Sequence, residues 1–261
     1  QISPTGSQMP RLLGLAQASK VYRNLKTHND DLFSKNGNEI AWGTIGNAST
    51  SEGMFFETLN AAGVMQVPMV ISVWDDEYGI SVSNKDQTVK ESISEALKGF
   101  QRTDSAAGFE IITVKGWDYL ALIDAYQFAS KIARQDHVPV LVHVTELTQP
   151  LGHSSSGSHE RYKSKERLNW EKKHDCNDIM RAWMIAESIA KESELVQIEN
   201  DAKKSVKVSR KNAWNAYKAP ILKEKEQLLA FSNMLKIQTH NETKLQVIFS
   251  NLDKAIDLGY K

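Results

Sequence analysis

Two short stretches of the sequence carry residue types that could hold a phosphate group and a metal ion. In GTIGNASTSEG, residues 43–53, small and polar residues precede a helical pattern. In VISVWDDEYGIS, residues 70–81, an apolar run ends at Asp75 and Asp76. Small residues let a ligand approach the backbone, and free N–H groups at a helix start favour an anion. Because magnesium prefers carboxylate and phosphate oxygens, one interpretation of the two stretches is a metal-bound phosphate ligand.

The spacing of these residues alone is compatible with either a metal site or a capped turn. Gly43 and Gly46 are not spaced as in the dinucleotide fingerprint, and no Walker lysine follows them, so the two commonest phosphate loops are absent. Asp76 could bind magnesium together with an Asn47 amide oxygen and a backbone carbonyl. The alternative is that Asp75 and Asp76 only cap a turn, and spacing alone favours this second interpretation.

The elements that must position these residues are predicted from the alternation of apolar runs and helical patterns. Such alternation predicts an α/β fold, a parallel sheet with helices on both faces. In this kind of sheet, ligands lie beyond the carboxyl ends of the strands. The predicted strands are residues 39–45, 69–74, 109–114 and 138–144, and the predicted helices are residues 10–25, 54–64, 88–100 and 118–134.

The pattern changes after the last predicted strand. Residues 147–165 are polar and rich in serine and glycine, which predicts a long loop, and its length indicates either a function or mobility. Strand signals then end, and charged helical patterns follow at residues 178–217, 224–235 and 243–258, with a break expected at Pro220. We therefore expect an α/β domain over residues 1–176 and a helical C-terminal extension over residues 177–261.

Composition excludes several classes of protein. The chain has 32 basic and 32 acidic residues, so no basic excess indicates nucleic acid or a membrane surface as a partner. No apolar run approaches the roughly 20 residues that span a bilayer. Cys176 is the single cysteine, which is compatible with a reducing, cytoplasmic compartment. The chain begins at Gln1 without a signal-peptide pattern, and we expect it to be a piece of something longer.

The two stretches resemble the thiamine diphosphate motif of the 2-oxo acid dehydrogenase family, in the alpha chain of its decarboxylating first component. The family has Gly-Asp-Gly and, further on, Asn-Asn, where this sequence has Gly46-Asn47-Ala48 and Asp75-Asp76. TSEG at residues 50–53 and YGIS at residues 78–81 match as well. SPTGSQMP, residues 3–10, resembles a segment beside the aminopyrimidine and a potassium site, and GHSSSGSHERY, residues 152–162, resembles a loop that reaches the diphosphate.

The resemblance implies roles for individual residues. Magnesium would be bound by Asn47, by Asp76 and by the backbone carbonyl of Tyr78, with acid and amide exchanged relative to the family pattern. His153 would contact the diphosphate as the catalytic-site histidine. Residues expected to bind the cofactor are Ser3, Thr5, Gly46, Asn47, Ala48, Ser49, Asp76, Tyr78 and His153. Trp74 and Gln149 stand where the family often has arginines, whereas His143, in an apolar strand, is expected to be a core histidine.

The resemblance also implies an activity and partners. The expected reaction is oxidative decarboxylation of a 2-oxo acid with thiamine diphosphate and magnesium, followed by acyl transfer to a lipoyl-bearing acyltransferase. A beta region, fused or separate as in a heterotetramer, would supply the glutamate that protonates the aminopyrimidine. The motif wording is most similar to bacterial fused branched-chain (2-oxoisovalerate) enzymes. Alternatives are a pyruvate or acetoin dehydrogenase component, or a non-catalytic phosphate- or nucleotide-binding module on the same fold.

Overall fold

A computed structural model of the chain describes residues 4–25, 33–153 and 158–236, with isolated positions between 244 and 251. Contacts divide the chain into two compact units, residues 1–186 and 187–261. The helices of the first unit are α1 (Met9–Asn24), α2 (Gly53–Met65), α3 (Asn84–Gln87), α4 (Ile93–Ala96), α5 (Tyr119–Asp136), α6 (Lys165–Lys173) and α7 (Cys176–Ala186). Its strands are β1 (Ala41–Gly46), β2 (Met69–Trp74), β3 (Tyr78–Gly79), β4 (Val82–Ser83), β5 (Glu110–Lys115) and β6 (Val140–Thr145).

The predicted parallel sheet is confirmed. Its four strands lie in the order β1-β2-β6-β5, and every neighbouring pair is parallel. Gly46 is in register with Trp74, and Trp74 is in register with Val144. The carboxyl ends of β1, β2 and β6 therefore meet at one edge of the sheet. β3 and β4 form a separate two-stranded hairpin directly after β2.

Helices cover both faces of the sheet, as predicted. One core contains apolar residues of α1 and α2 against Met69, Ile71 and Val73 of β2. The other core contains apolar residues of α5 against β6 and the opposite face of β2, including Val70. The β1–α2–β2 and β5–α5–β6 connections run in opposite directions along the sheet, which places their helices on opposite faces. The point where the strand order reverses lies between β2 and β6, where ligands bind in open sheets.

The single helix predicted over residues 88–100 is wrong. This segment contains a 3₁₀ turn at Val89–Glu91, the short helix α4 and a second 3₁₀ turn at Lys98–Phe100. Lys90 and Glu91 have left-handed φ values of 65° and 57°, which end the first turn. The Ser92 hydroxyl then accepts from the Glu95 N–H at 3.5 Å and starts α4 anew. Serine competes with the helix for backbone hydrogen bonds in this way, and apolar periodicity does not report it.

The second unit contains α8 (Glu192–Lys236), which runs through Pro220. The predicted break at Pro220 is therefore wrong. A proline removes one hydrogen bond from the helix, while the remaining turns of this 45-residue helix keep theirs. The helix predicted over residues 243–258 lies largely outside the described residues. Within the described part of the chain, no helix is long and apolar enough to cross a membrane.

Candidate active site at the carboxyl edge of the sheet

A cavity of about 860 Å³ opens at the carboxyl edge of the sheet, beside the point where the strand order reverses. The predicted site residues that the structure describes all line it, namely Thr5, Gly46, Asn47, Ala48, Ser49, Asp76, Tyr78 and His153. Ser3, the remaining predicted residue, lies outside the described residues. The fold thus brings together residues that are up to 148 positions apart in the sequence, from Thr5 to His153.

Asn47 follows β1 and forms part of the cavity wall, although its side chain is almost fully buried. Its Nδ2 donates a hydrogen bond to Oδ1 of Asn84 at 2.7 Å. Nδ2 of Asn84 in turn donates to the two carboxylate oxygens of Asp75, at 3.0 and 3.2 Å. Among the described residues, none donates to Oδ1 of Asn47. This oxygen is therefore available to a ligand.

The two adjacent carboxylates after β2 have different environments. Asp75 is buried, and its oxygens also accept from the Glu77 N–H at 2.7 Å and from Nε2 of His143 at 2.8 Å. Nδ1 of His143 is 2.8 Å from the Ser94 hydroxyl, so both ring nitrogens have partners. The prediction that His143 is a satisfied core histidine is thus confirmed. Asp75 is directed into the protein, and only Asp76 lines the cavity.

Asp76 combines partial burial with few hydrogen-bond donors. Burial raises the pKa of its carboxyl group, and the Tyr78 N–H at 3.2 Å and the charge of Lys163 oppose this only in part. The ionised form is thus poorly solvated, which favours association with a cation. Nη2 of Arg167 donates to the Asp76 backbone carbonyl at 3.0 Å and helps to hold this turn in place.

The backbone around the cavity adopts conformations that residues with side chains rarely adopt. Glu77, Ile80 and Glu146 have φ values of 69°, 60° and 55°. Such left-handed residues cost about 1–3 kcal/mol each and cluster at functional sites. The hairpin also packs closely on the turn after β1, because a Cβ at Gly79 would lie 2.5 Å from the Cβ of Ala48.

Packing and hydrogen bonds constrain the described residues that directly precede His153. Gly152 has a φ of 64°, and a Cβ there would lie 2.6 Å from the Tyr162 hydroxyl. After the loop, Lys163 donates to the Gln149 carbonyl at 3.1 Å and forms a buried ion pair with Glu171 at 2.7 Å. His153 itself is exposed and lines the cavity.

Sequence reasoning missed the ionic contacts within α6 and between α6 and the turn after β2. Arg167 pairs with Glu77 at 2.5 Å and with Glu171 at 2.9 Å, and its guanidinium lies 5.6 Å from the centre of the Tyr78 ring. The four-residue spacing of Arg167 and Glu171 on α6 was an available signal for that pair. Asn84 had no such signal, because its partners Asn47 and Asp75 directly follow β1 and β2 and are distant from it in the sequence.

The charge of the cavity wall is low for a site that would hold phosphate. Among the described residues that line it, none is lysine or arginine, and Trp74 and Gln149 occupy the positions where arginines were expected from the resemblance. The N–H groups of Ala48 and Ser49 have no acceptor among the described residues, so they can donate to an anion. The described residues also contain no cluster of three or more acidic, histidine or cysteine side chains suited to a metal.

Comparison with known proteins decides the family. The family model described as "Dehydrogenase E1 component" matches residues 1–222 of the chain. The chain belongs to the dehydrogenase E1 component family. The predicted family membership is thereby confirmed, and the observed α/β fold agrees with it. Members of this family are generally thiamine diphosphate-dependent.

Named relatives of this E1-family chain include enzymes of two substrate types. It is 26% identical over 208 residues to "Pyruvate dehydrogenase E1 component subunit alpha" of Rickettsia bellii, which covers 77% of this chain and 55% of that protein. It is 26% identical over 221 residues to "2-oxoisovalerate dehydrogenase subunit alpha, mitochondrial" of Dictyostelium discoideum, covering 84% and 45%. It is 28% identical over 173 residues to "2-oxoisovalerate dehydrogenase subunit alpha" of Bacillus subtilis, and this alignment covers 66% of this chain and 46% of that protein. The E1-family chain thus spans about half the length of these relatives.

Proposed function

We propose that this chain is the alpha region of a thiamine diphosphate-dependent 2-oxo acid dehydrogenase, and that its cavity holds the diphosphate and magnesium. The observation that carries the proposal is the convergence at one cavity of all the described residues that the family resemblance selected. They lie beside the point where the strand order reverses, which is where open parallel sheets bind ligands.

The residues present fit this cofactor. The volume of about 860 Å³ is in the range of cofactor pockets. A Cβ added at Gly46 would meet no atom within 4 Å, so the cavity reaches the backbone there. Asn47 contributes an amide oxygen and Asp76 a carboxylate. Magnesium typically takes one or two protein carboxylates together with phosphate oxygens and waters, which matches this small set of ligands.

Each residue has a defined part in this arrangement. Asn47, Asp76 and the Tyr78 carbonyl would bind the magnesium ion. His153 and the N–H groups of Ala48 and Ser49 would donate hydrogen bonds to the diphosphate, and Thr5 would bind the cofactor beside them. Cofactor binding by Ser3 stays a prediction from the resemblance. Bound there, thiamine diphosphate supplies the carbanion and electron sink for decarboxylation. Because no lysine or arginine is among the described lining residues, the metal would carry most of the charge neutralisation.

The proposed reaction is oxidative decarboxylation of a 2-oxo acid, with the acyl unit passing to the lipoyl group of an acyltransferase. We favour 2-oxoisovalerate because the motif wording resembles branched-chain enzymes, and relatives named for that substrate support this choice. Relatives named for pyruvate keep pyruvate as the alternative. The proposed partner is a beta region that completes the active site. A cytoplasmic location and the division into domains at residue 176 stay predictions.

We propose a location for the predicted potassium ion near the start of α1. A second, smaller cavity of about 270 Å³ is lined by residues of the segment Pro4–Met9 together with Thr44 and Ser49. Backbone carbonyls and hydroxyls are the neutral oxygen ligands that a monovalent cation would need there. We keep potassium as a proposal that rests on the family resemblance.

A cofactor titration tests the function. Thiamine diphosphate is added to the chain with and without magnesium, and heat of binding is recorded with ATP as the comparison ligand. We expect magnesium-dependent binding of thiamine diphosphate and none of ATP. Binding of ATP instead would favour the non-catalytic nucleotide-binding module, for which the exchanged acid and amide at Asn47 and Asp76 is the supporting observation.

Activity should require the beta region. We expect the 261-residue chain alone to release no carbon dioxide from 2-oxoisovalerate or pyruvate, because the family takes the aminopyrimidine-protonating glutamate from that region. Addition of the beta region should produce cofactor-dependent release. Turnover by the isolated chain would contradict the requirement for the beta region. Turnover of pyruvate but not of 2-oxoisovalerate, in the presence of the beta region, would contradict only the branched-chain assignment.

A further inference from the structure

Four buried polar residues lie behind Asn47 and take no direct part in the proposed cofactor site. We call them the buried network, and they are Ser94, His143, Asp75 and Asn84. All are at most 8% exposed. A buried polar side chain is costly unless it is hydrogen-bonded. Each member meets this condition through its neighbours in the network, and Asn84 connects the network to Asn47.

The directions of these hydrogen bonds are set by Asp75. An ionised carboxylate can only accept hydrogen bonds, so Asn84 must present Nδ2 to it, as it does at 3.0 and 3.2 Å. An asparagine side chain carries one donor nitrogen and one acceptor oxygen. Because the nitrogen of Asn84 is directed at Asp75, its Oδ1 is the atom that faces Asn47.

The same reasoning orients Asn47. Oδ1 of Asn84 only accepts, so Asn47 must present its Nδ2, and the two atoms are 2.7 Å apart. The amide orientation of Asn47 thus follows from the hydrogen-bond network. Its Oδ1 remains for another partner, and none of the described residues donates to it. Since Asn47 lines the cavity, that partner can be a ligand in the cavity.

The other end of the network holds Asp75 itself. Nε2 of His143 lies 2.8 Å from Oδ2 of Asp75, and the Glu77 N–H lies 2.7 Å from Oδ1. His143 is held in turn by the Ser94 hydroxyl at 2.8 Å from Nδ1. Both oxygens of Asp75 are therefore held by groups from different elements, β6 and the turn after β2. This leaves the carboxylate little freedom to rotate.

We propose that the buried network orients the Asn47 side chain with Oδ1 toward the cavity, so that a neutral asparagine serves as a metal ligand at this position. Asn84 is the central positioning residue. Its Nδ2 donates to Asp75, so its Oδ1 faces Asn47, and Asn47 must present a donor to that oxygen. The inference rests on the proposed function, since it assumes that the cavity binds a divalent cation with thiamine diphosphate.

The test replaces Asn84 by leucine, which has a similar volume and no hydrogen-bonding group. Mn²⁺ is titrated into the 261-residue chain at saturating thiamine diphosphate, and free Mn²⁺ is measured by its electron paramagnetic resonance signal. Loss of a residue that orients a metal ligand typically weakens metal binding about 10–100-fold, and we expect this range for Asn84→Leu. Asn60→Leu, at an exposed position of α2, is the matched control and should bind like the unmodified chain. If circular dichroism shows Asn84→Leu to be unfolded, Asn84→Ala replaces it.

A rescue variant separates orientation from mere structural support. Asn47→Asp alone should also bind weakly, because a carboxylate would then face the accepting Oδ1 of Asn84. In the Asn47→Asp/Asn84→Leu double variant, the carboxylate no longer faces an accepting oxygen, because residue 84 has no polar group. Either carboxylate oxygen can then bind the metal without an imposed orientation. We therefore expect the double variant to recover most of the Mn²⁺ affinity that each single variant loses.

The outcomes distinguish the two proposals. Absence of Mn²⁺-dependent cofactor binding by the unmodified chain would overturn the proposed function and the inference with it. If the unmodified chain binds and Asn84→Leu or its alanine substitute binds equally well, only the orienting role is overturned. Loss of binding without recovery in the double variant would also overturn that role, because it would show that Asn84 supports the fold and not the amide orientation.

Discussion

Replacement of Lys163 by methionine should destabilise the chain far more than an ordinary lysine substitution. Lys163 and Glu171 have side chains that are each 1% exposed, and Nζ lies 2.7 and 3.0 Å from the two carboxylate oxygens. Methionine has a similar length but no charge. Removal of one partner of a buried ion pair costs about 3–5 kcal/mol, because the other charge stays buried. Since Arg167 still contacts Glu171 at 2.9 Å, we expect the lower end, about 3 kcal/mol.

Urea unfolding, followed by circular dichroism, measures this free energy. Lys165→Met is the matched control, because Lys165 is exposed at the start of α6, and surface substitutions usually stay within about 0.5 kcal/mol. The double variant Lys163→Met/Glu171→Met removes both charges. Apolar replacement of a whole buried pair is often neutral, so the double variant should be more stable than Lys163→Met alone.

Two results would refute this reasoning. A loss of less than about 1 kcal/mol in Lys163→Met would be typical of an exposed pair and would contradict the buried geometry. A double variant that loses the sum of the two single losses would show that the charges are not coupled.

Because Lys163 also donates to the Gln149 carbonyl, Lys163→Met should in addition weaken thiamine diphosphate binding through the His153 loop.

Three further perturbations follow from the site. Burial raises the pKa of Asp76, so the folded chain binds this proton more tightly than the unfolded chain, and ionisation of Asp76 disfavours folding. Asp76→Asn should therefore raise the free energy of unfolding at pH 7 in the absence of cofactor. The same variant should abolish magnesium-dependent binding of thiamine diphosphate, as measured by calorimetry. Burial also acts to raise the pKa of Glu146, but hydrogen bonds from Trp117 and Lys115 outweigh it and lower that pKa. The resulting stabilisation is present above the ordinary value of 4.5 and is lost as pH falls below it, so the stability difference between the unmodified chain and Glu146→Gln should shrink in acid urea titrations. Gly152→Ala, at a φ of 64°, should cost at least about 1 kcal/mol and weaken cofactor binding.

Matched controls accompany these variants. Asp86→Asn, at an exposed position of α3, should change neither stability nor cofactor binding appreciably. Gly14→Ala, where a Cβ would meet no atom within 4 Å in α1, should stabilise the helix slightly. Retained magnesium-dependent binding in Asp76→Asn would contradict its role as a metal ligand. A Glu146→Gln difference that does not change between pH 7 and about pH 4 would contradict the lowered pKa.

Much of the sheet could be predicted from the order of residues alone. The strand at residues 69–74 has the predicted bounds, because an uninterrupted apolar run can be satisfied only between two covered faces. Phe55, Leu59 and Ala62 are buried on one face of α2, as their helical spacing predicts. The resemblance identified eight of the described residues that line the cavity, and those that directly follow β1 and β2 meet there because the two strands are parallel and in register.

The irregular segments could not be predicted in the same way. The segment after α3 is divided by two left-handed residues and the Ser92 hydroxyl, and such local hydrogen bonds leave no periodic pattern in the sequence. Proline ends many helices, yet α8 continues through Pro220, because the other hydrogen bonds of the helix outweigh the one that is missing.

The sequence by itself determined the α/β class, because apolar periodicities are local along the chain. Its motifs also determined the family and, through the resemblance, eight of the described residues that line the cavity. The resemblance had selected Asp76 from the two adjacent aspartates, and only the tertiary structure gave the physical reason why Asp75 is not the one that faces the cavity. Asp75 is directed inward because His143, from β6, and Asn84, from α3, supply donors that no spacing reveals. Through the same contacts, a residue 37 positions away orients the amide of Asn47. The direction of a hydrogen bond depends on what lies on both sides of it, and that is known only when the chain has folded.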